Sequence, residues 1–246
     1  MKPSMARRLS GLLSASALIA TLVLAALPAT ASAALLCFPT GFVRDGMNLK
    51  AAQLGGTVTG TLDATSCDIG VYYNATLPGG VSGAAISGAK YFGVVVDGGN
   101  VDVTHSSISN IGNVPIDGTQ HGVAIYYTSE HSAASGTVND NSVSRYQKGG
   151  IVATQGSSVT ITNNTVTGLG PVDFIAQNGV QVSYGASAHV SGNSIYNNDY
   201  TPKAYTSCGL LLYQASGVRT GTNLYRGDES NMCNYGKGGG TFSPAP

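Results

Sequence analysis

A glycine followed by apolar residues returns six times along this chain. The six are Gly70-Val71-Tyr72-Tyr73, Gly93-Val94-Val95-Val96, Gly122-Val123-Ala124-Ile125, Gly150-Ile151-Val152-Ala153, Gly179-Val180-Gln181-Val182 and Gly209-Leu210-Leu211-Leu212. The steps between these glycines are 23, 29, 28, 29 and 30 residues. Two further apolar pieces recur inside most steps. One holds Val101-x-Val103, Val159-x-Ile161 and Ala188-x-Val190; the other is marked by Ile108, Val143, Val166, Ile195 and Leu224. Short alternating runs have the period of a half-buried strand, so each repeat predicts three short β-strands separated by turns. One repeat cannot bury its apolar side alone. Stacked repeats share a continuous core, with strands about 4.8 Å apart along the stack. The expected fold is all-β, a parallel β-helix of about 5–6 triangular coils with 23–30 residues per coil.

Composition agrees with such a solenoid and excludes other classes. Charged residues make up 10 % of the 246, against roughly 25 % in an ordinary globular protein. That is too few for a chain kept disordered by charge. The 12 basic and 12 acidic residues cancel, so there is no basic surplus of the kind that binds nucleic acid. The 34 glycines follow no strict G-X-Y period, which excludes collagen.

The first 33 residues stand apart. Lys2, Arg7 and Arg8 precede the apolar run 12–27, and Ala31-Ser32-Ala33 supplies an A-x-A cleavage site. This is the pattern of a secretory signal peptide, and its run is short of the ~20 residues a membrane span needs. Cleavage removes three positive charges and leaves 9 basic against 12 acidic groups. The expected location is secreted, outside the cell, with no membrane contact after cleavage. Four cysteines remain, Cys37, Cys67, Cys208 and Cys233. An even count in an exported chain predicts disulfides, and clustering towards the two ends predicts the pairs Cys37–Cys67 and Cys208–Cys233. Residues 34–56 are expected to cap the N-terminal end, with a short helix turn at Asn48–Leu54. Residues 57–235 form the β-helix, and 236–246 a disordered tail.

Asn141, Asn164 and Asn193 each lie two residues before the apolar mark of the third strand. Asn tolerates the left-handed conformation of a tight turn, and in register the three amides form a hydrogen-bonded ladder. The G-[VIL]-x-[VIL] starts and the N-[ST]-[VI] segments, as in Asn164-Thr165-Val166 and Asn193-Ser194-Ile195, cover about residues 57–226. In these the chain resembles the right-handed parallel β-helix proteins, the superfamily of pectate lyases and polygalacturonases, and within it small secreted bacterial β-helix-repeat proteins. The resemblance implies a single-stranded right-handed coil. It also implies a substrate cleft over the first-strand sheet, but fold alone does not fix activity.

Loops more often carry function than the strands that hold them. The connections 110–120, 168–177 and 197–207 are expected on one side of the first-strand sheet and 128–135 on the other, making that sheet the floor of a groove. Counting from each repeat glycine puts Tyr72, Ala124, Gln181, Asp97, Tyr126, Tyr213, Tyr91, Gln120, Lys148 and Gln177 on the floor. Aromatic faces stack on sugar rings. Tyr91, Gln120, Tyr126, Gln177, Gln181 and Tyr213, with His121 at the groove edge, are therefore the candidate contacts to a polysaccharide or cell-envelope glycan. Calcium needs six to eight oxygens, and Asp68 and Asp97 are the only floor carboxylates, so no metal or cofactor is expected. An enzymatic alternative, polysaccharide lyase or glycoside hydrolase, would use Asp117 and Asp173 as a carboxylate pair or Lys148 as a base. Their ordinary roles are loop capping for the aspartates and solvation for the lysine. A second alternative is a purely structural or adhesive solenoid.

Overall fold

The computed structural model describes residues 36–236. The predicted leader and all but the first residue of the predicted tail lie outside them. Every regular element among the described residues is a strand. One sheet carries eight parallel first strands, from Met47–Leu54 to Ser230–Tyr235, with Phe38–Arg44 antiparallel at its N-terminal edge. The segment expected as a helix turn, Asn48–Leu54, is instead part of a strand. Leu49 and Ala51 alternate inward from exposed Asn48 and Lys50, which is a period of two.

Strand register defines the coils. Ala51 stands opposite Ile69, Ile69 opposite Phe92, Phe92 opposite Val123, Val123 opposite Gly149, Gly149 opposite Asn178, Asn178 opposite Cys208, and Cys208 opposite Ser230. Seven coils of 18, 23, 31, 26, 29, 30 and 22 residues follow, numbered here 1 to 7. They exceed the glycine repeats by one at each end, because Ala52 and Asn231 stand in the glycine column there. The register also corrects the fourth coil. Ala124, not Gly122, lies between Gly93 and Gly150, since Val94 pairs with Ile125 and Ile125 with Ile151.

The column wants glycine for lack of room. A Cβ at Gly93, Gly150 or Gly179 would stand 2.4–2.5 Å from the next coil's carbonyl oxygen or from Ile108, Val166 or Ile195, across the coil interior. We expect Gly179→Ala to cost about 2 kcal/mol, the usual range for overpacking a close-packed interior. Denaturant unfolding checks this. A stability within about 0.5 kcal/mol of the parent, the usual span of neutral substitutions, would mean the coil relaxes around the methyl.

The second and third sides of the coil share a 13-stranded sheet. In coils 1 and 2 single strands, Gly56–Asp63 and Gly79–Ser87, run through both sides and bend at Gly60 and Gly83, each with positive φ. Later coils turn this corner on His105, Asp140, Asn163 or Gly192, all left-handed. The left-handed residue is thus the one before each ladder asparagine, not the asparagine, whose side chain is committed along the stack. Asn141 Nδ2 donates to Asn164 Oδ1, Asn164 Nδ2 to Asn193 Oδ1, and Asn193 Nδ2 to Asn223 Oδ1, at 2.9–3.0 Å. Each acceptor oxygen also takes the backbone N–H of the preceding ladder residue. Ser106 continues the series towards coil 2, donating its N–H to Asn141 and accepting from Ala84.

Inside the stack Val71, Tyr73, Val94, Ile125, Ile151 and Val180 meet Ile86, Ile108, Val143, Val166 and Ile195 in one cluster. The Cys37–Cys67 and Cys208–Cys233 disulfides tie its two ends, as predicted. Both fit an oxidising, extracellular setting. Among the described residues no helix is long and apolar enough to cross a membrane.

Candidate functional site

Outside the coil, the first-strand sheet presents two columns. In register, one runs Tyr72, Val95, Tyr126, Val152, Gln181, Leu211; the other runs Asn74, Asp97, Thr128, Thr154, Ser183, Tyr213. The two-residue register correction moves Tyr126 into the first column and turns Ala124 into the core.

The floor is not open over coils 2–4. The N-terminal hairpin lays Phe42 on it, with ring centroids 5.9 Å from Tyr72, 5.9 Å from Phe92 and 6.3 Å from Tyr126. Leu49 and Ala51 join them in a second apolar core. Arg44 caps it, its guanidinium 4.0 Å from the Phe42 ring and bonded to Glu130 at 2.7 Å. Tyr126 faces away from the coil interior, as expected, but lies under this hairpin. Tyr91 is also buried, its ring 4.1 Å from that of His121. His121 Nε2 meets Asn113 Oδ1 at 3.0 Å, and burial holds its pKa below the usual imidazole value.

Over coils 5–7 the same face is polar and its members bond one another. Gln181 Nε2 donates to Ser183 Oγ, and Ser183 Oγ to Thr154 Oγ1. Gln177 Nε2 donates to the Tyr146 and Gln147 carbonyls. Tyr213 packs edge-on against Tyr184. Lys148 is buried rather than solvated. Its Nζ donates to the Ala176 carbonyl at 2.9 Å, and desolvation brings its pKa down to about 7.

The loop candidates are placed as follows. Gln120 is exposed and its amide donates to the Gly118 carbonyl. Asp117 accepts from the Thr119 hydroxyl and N–H, from Asn113 Nδ2 at 2.8 Å and from Gln147 Nε2 at 3.1 Å. The Thr119 bonds lead in holding its pKa down at about 2. Asp173 is exposed on its own loop.

What the structure assembles beyond these is a pocket of about 300 Å³ at the edge of coils 2 and 3, lined in part by Thr40, Tyr72, Asn74, Asp97, His131 and Ser132. Asp97 ends an apolar first strand and is 1 % exposed. Its Oδ2 accepts from Tyr72 Oη at 2.9 Å and meets His131 Nδ1 at 2.7 Å, while its Oδ1 is buried without a partner. Desolvation raises the Asp97 pKa, opposed by the Tyr72 and His131 bonds. Burial, and then Asp97 itself, push the Tyr72 phenol up. The His131 side chain is 57 % exposed. With its Nδ1–H on the carboxylate, its Nε2 carries the free lone pair. Sequence reasoning found Asp97 as a floor carboxylate but missed His131, which sits on the inserted 129–133 loop outside any periodic strand. No group of three or more metal-ligating side chains is present among the described residues.

Residues 130–232 match the protein family described as "Right handed beta helix region". No curated protein and no solved structure matches the chain.

Proposed function

We propose that this right-handed parallel β-helix repeat protein is a secreted module that binds a polysaccharide or cell-envelope glycan, with its primary subsite at the Asp97–His131 pocket. The observation that carries this is the Asp97 carboxylate, buried with one oxygen unpartnered, on a pocket rimmed by hydroxyl, amide and imidazole groups. A buried acceptor without a donor costs free energy that a ligand hydroxyl restores. Sugar hydroxyls both donate and accept, so they suit Asp97 and His131 together. The pocket lies beside aromatic surface, and its volume matches the lower range of small-ligand sites.

The test is a glycan-array screen of the purified protein, followed by titration of each bound polysaccharide. We expect Asp97→Asn and His131→Ala each to weaken binding at least about tenfold, the ~1.4 kcal/mol worth of one good polar contact. Unchanged affinity in both variants would remove this pocket from the reading. No binding to any glycan would leave the structural or adhesive role.

One geometry favours a catalytic second reading. A buried carboxylate that fixes one imidazole nitrogen and leaves the other basic is the arrangement of a general base, and Lys148 offers another amine titrating near neutrality. Reducing-end and unsaturated-product assays on each bound polysaccharide separate the two. Product formation that is lost in His131→Ala would make the protein an enzyme.

A further inference from the structure

A second pocket, of about 430 Å³, lies away from the Asp97 site and spans three coils. Its walls come from the loop after coil 3, with Val114, Pro115 and Ile116, and from the coil 5 strand, with Leu169 and Val172. Arg145 of coil 4 and Asn110 also line it. The lining is apolar except at this end. Val114 is 90 % exposed and Phe174 39 % exposed, an unusual concentration of open apolar side chains on a chain so rich in small polar ones.

The loop that forms the first wall is held in place by buried polar bonds. Gln147 Oε1 accepts from the Asn113 N–H, and Gln147 Nε2 donates to Asp117 Oδ1 and the Thr119 carbonyl. Asn113 Nδ2 ties back to Asp117 and Thr119. This network explains the arrangement of Asp117 and Gln147 without any catalytic role, and it presents Val114–Ile116 as a preformed wall. The Arg145 head is fixed as well. The residue has positive φ, and its Nε donates to Asn110 Oδ1 at 2.6 Å. No described group accepts from its two Nη atoms, and they are the end-on pair that holds a carboxylate through two parallel bonds.

We propose that this pocket binds a monocarboxylate with an apolar body, such as a medium-chain acyl acid, its head on the Arg145 Nη pair and its body between Ile116, Leu169 and Val172. Charge complementarity selects the head and the apolar walls select the body. Neither half alone suffices: a small carboxylate leaves the walls wet, and an uncharged chain leaves the guanidinium unpaired.

Methyl-resolved NMR on the full secreted chain tests this with octanoate, octanol and acetate as probes. Octanoate is expected to shift the Val114, Ile116, Leu169 and Val172 methyl signals saturably, and at least about tenfold more tightly than octanol or acetate, the difference of one charge-assisted contact. Arg145→Gln should weaken octanoate by about the same factor and leave octanol unchanged, while Arg145→Lys should recover part of the loss. Should Arg145→Gln fail to fold, Leu169→Asn serves instead, with an equal loss of octanoate expected. Equal binding of octanol and octanoate, octanoate affinity unchanged in the variants, or no saturable shift at these methyls would each overturn the proposal.

Discussion

Replacing Asn164 by Ala should destabilise the protein by about 4 kcal/mol, among the largest losses any single surface-distant substitution here can cause. Asn164 is 1 % exposed. Its Oδ1 accepts both the N–H and the Nδ2 of Asn141, and its Nδ2 donates to the Val138 carbonyl and to Asn193 Oδ1. Truncation orphans the Asn141 N–H, removes the side-chain donor to Val138 and breaks the ladder in the middle. A buried group left without its partner costs roughly 1–3 kcal/mol, and here two or more are affected at once. In a solenoid each coil is held only by its neighbours, so the loss is local but complete at that level of the stack. Asn223, at the partly buried end of the ladder, should cost about half as much, since only the coil on one side loses a partner. Urea unfolding of both variants, with hydrogen exchange at Asn141, is the measurement. Equal and small losses at the two positions would mean that the ladder is ornament on strands already held by their backbones.

Lys148 should make stability rise with pH above neutrality. Burial lowers its folded-state pKa from 10.5 to about 7. Between those values the unfolded chain binds a proton that the folded chain does not, so unfolding becomes harder as pH rises. The contribution is flat below about 7 and complete above 10.5. Between pH 7 and pH 9.5 it amounts to about 3 kcal/mol, from 1.36 kcal/mol per unit. The window closes near pH 10, where the buried tyrosines, whose pKa values are raised, act in the opposite sense. Lys148→Met should abolish the rise and be more stable than the parent at pH 7, although the Ala176 carbonyl loses its donor. Urea midpoints of the two proteins at pH 7 and 9.5 test this. Parallel pH profiles would show that the ammonium reaches water in the folded state.

The repeat, the three strands per coil, both disulfide pairs and the asparagine ladder were legible in the chain because each depends on a short local pattern recurring at near-constant spacing. A period of two marks a strand, and a stack of like strands leaves little choice of partner. Three things came only from tertiary structure. The register of the fourth coil is set by backbone pairing across an insertion of variable length, so Ala124 and not Gly122 fills the glycine column. The cover on the floor comes from Phe42 on the terminal hairpin, some 30 to 84 residues away from the tyrosines it buries; nothing in the floor strands distinguishes a residue facing water from one facing a hairpin. Last, Tyr72, Asp97 and His131 meet from three different coils, separated by 25 and 34 residues. Sequence alternation says which side of a strand a group lies on. Which groups on that side touch, and whether water reaches them, is decided by how loops of unequal length fold back over the stack, and this sets the charge, burial and pairing on which Asp97, His131 and Lys148 depend.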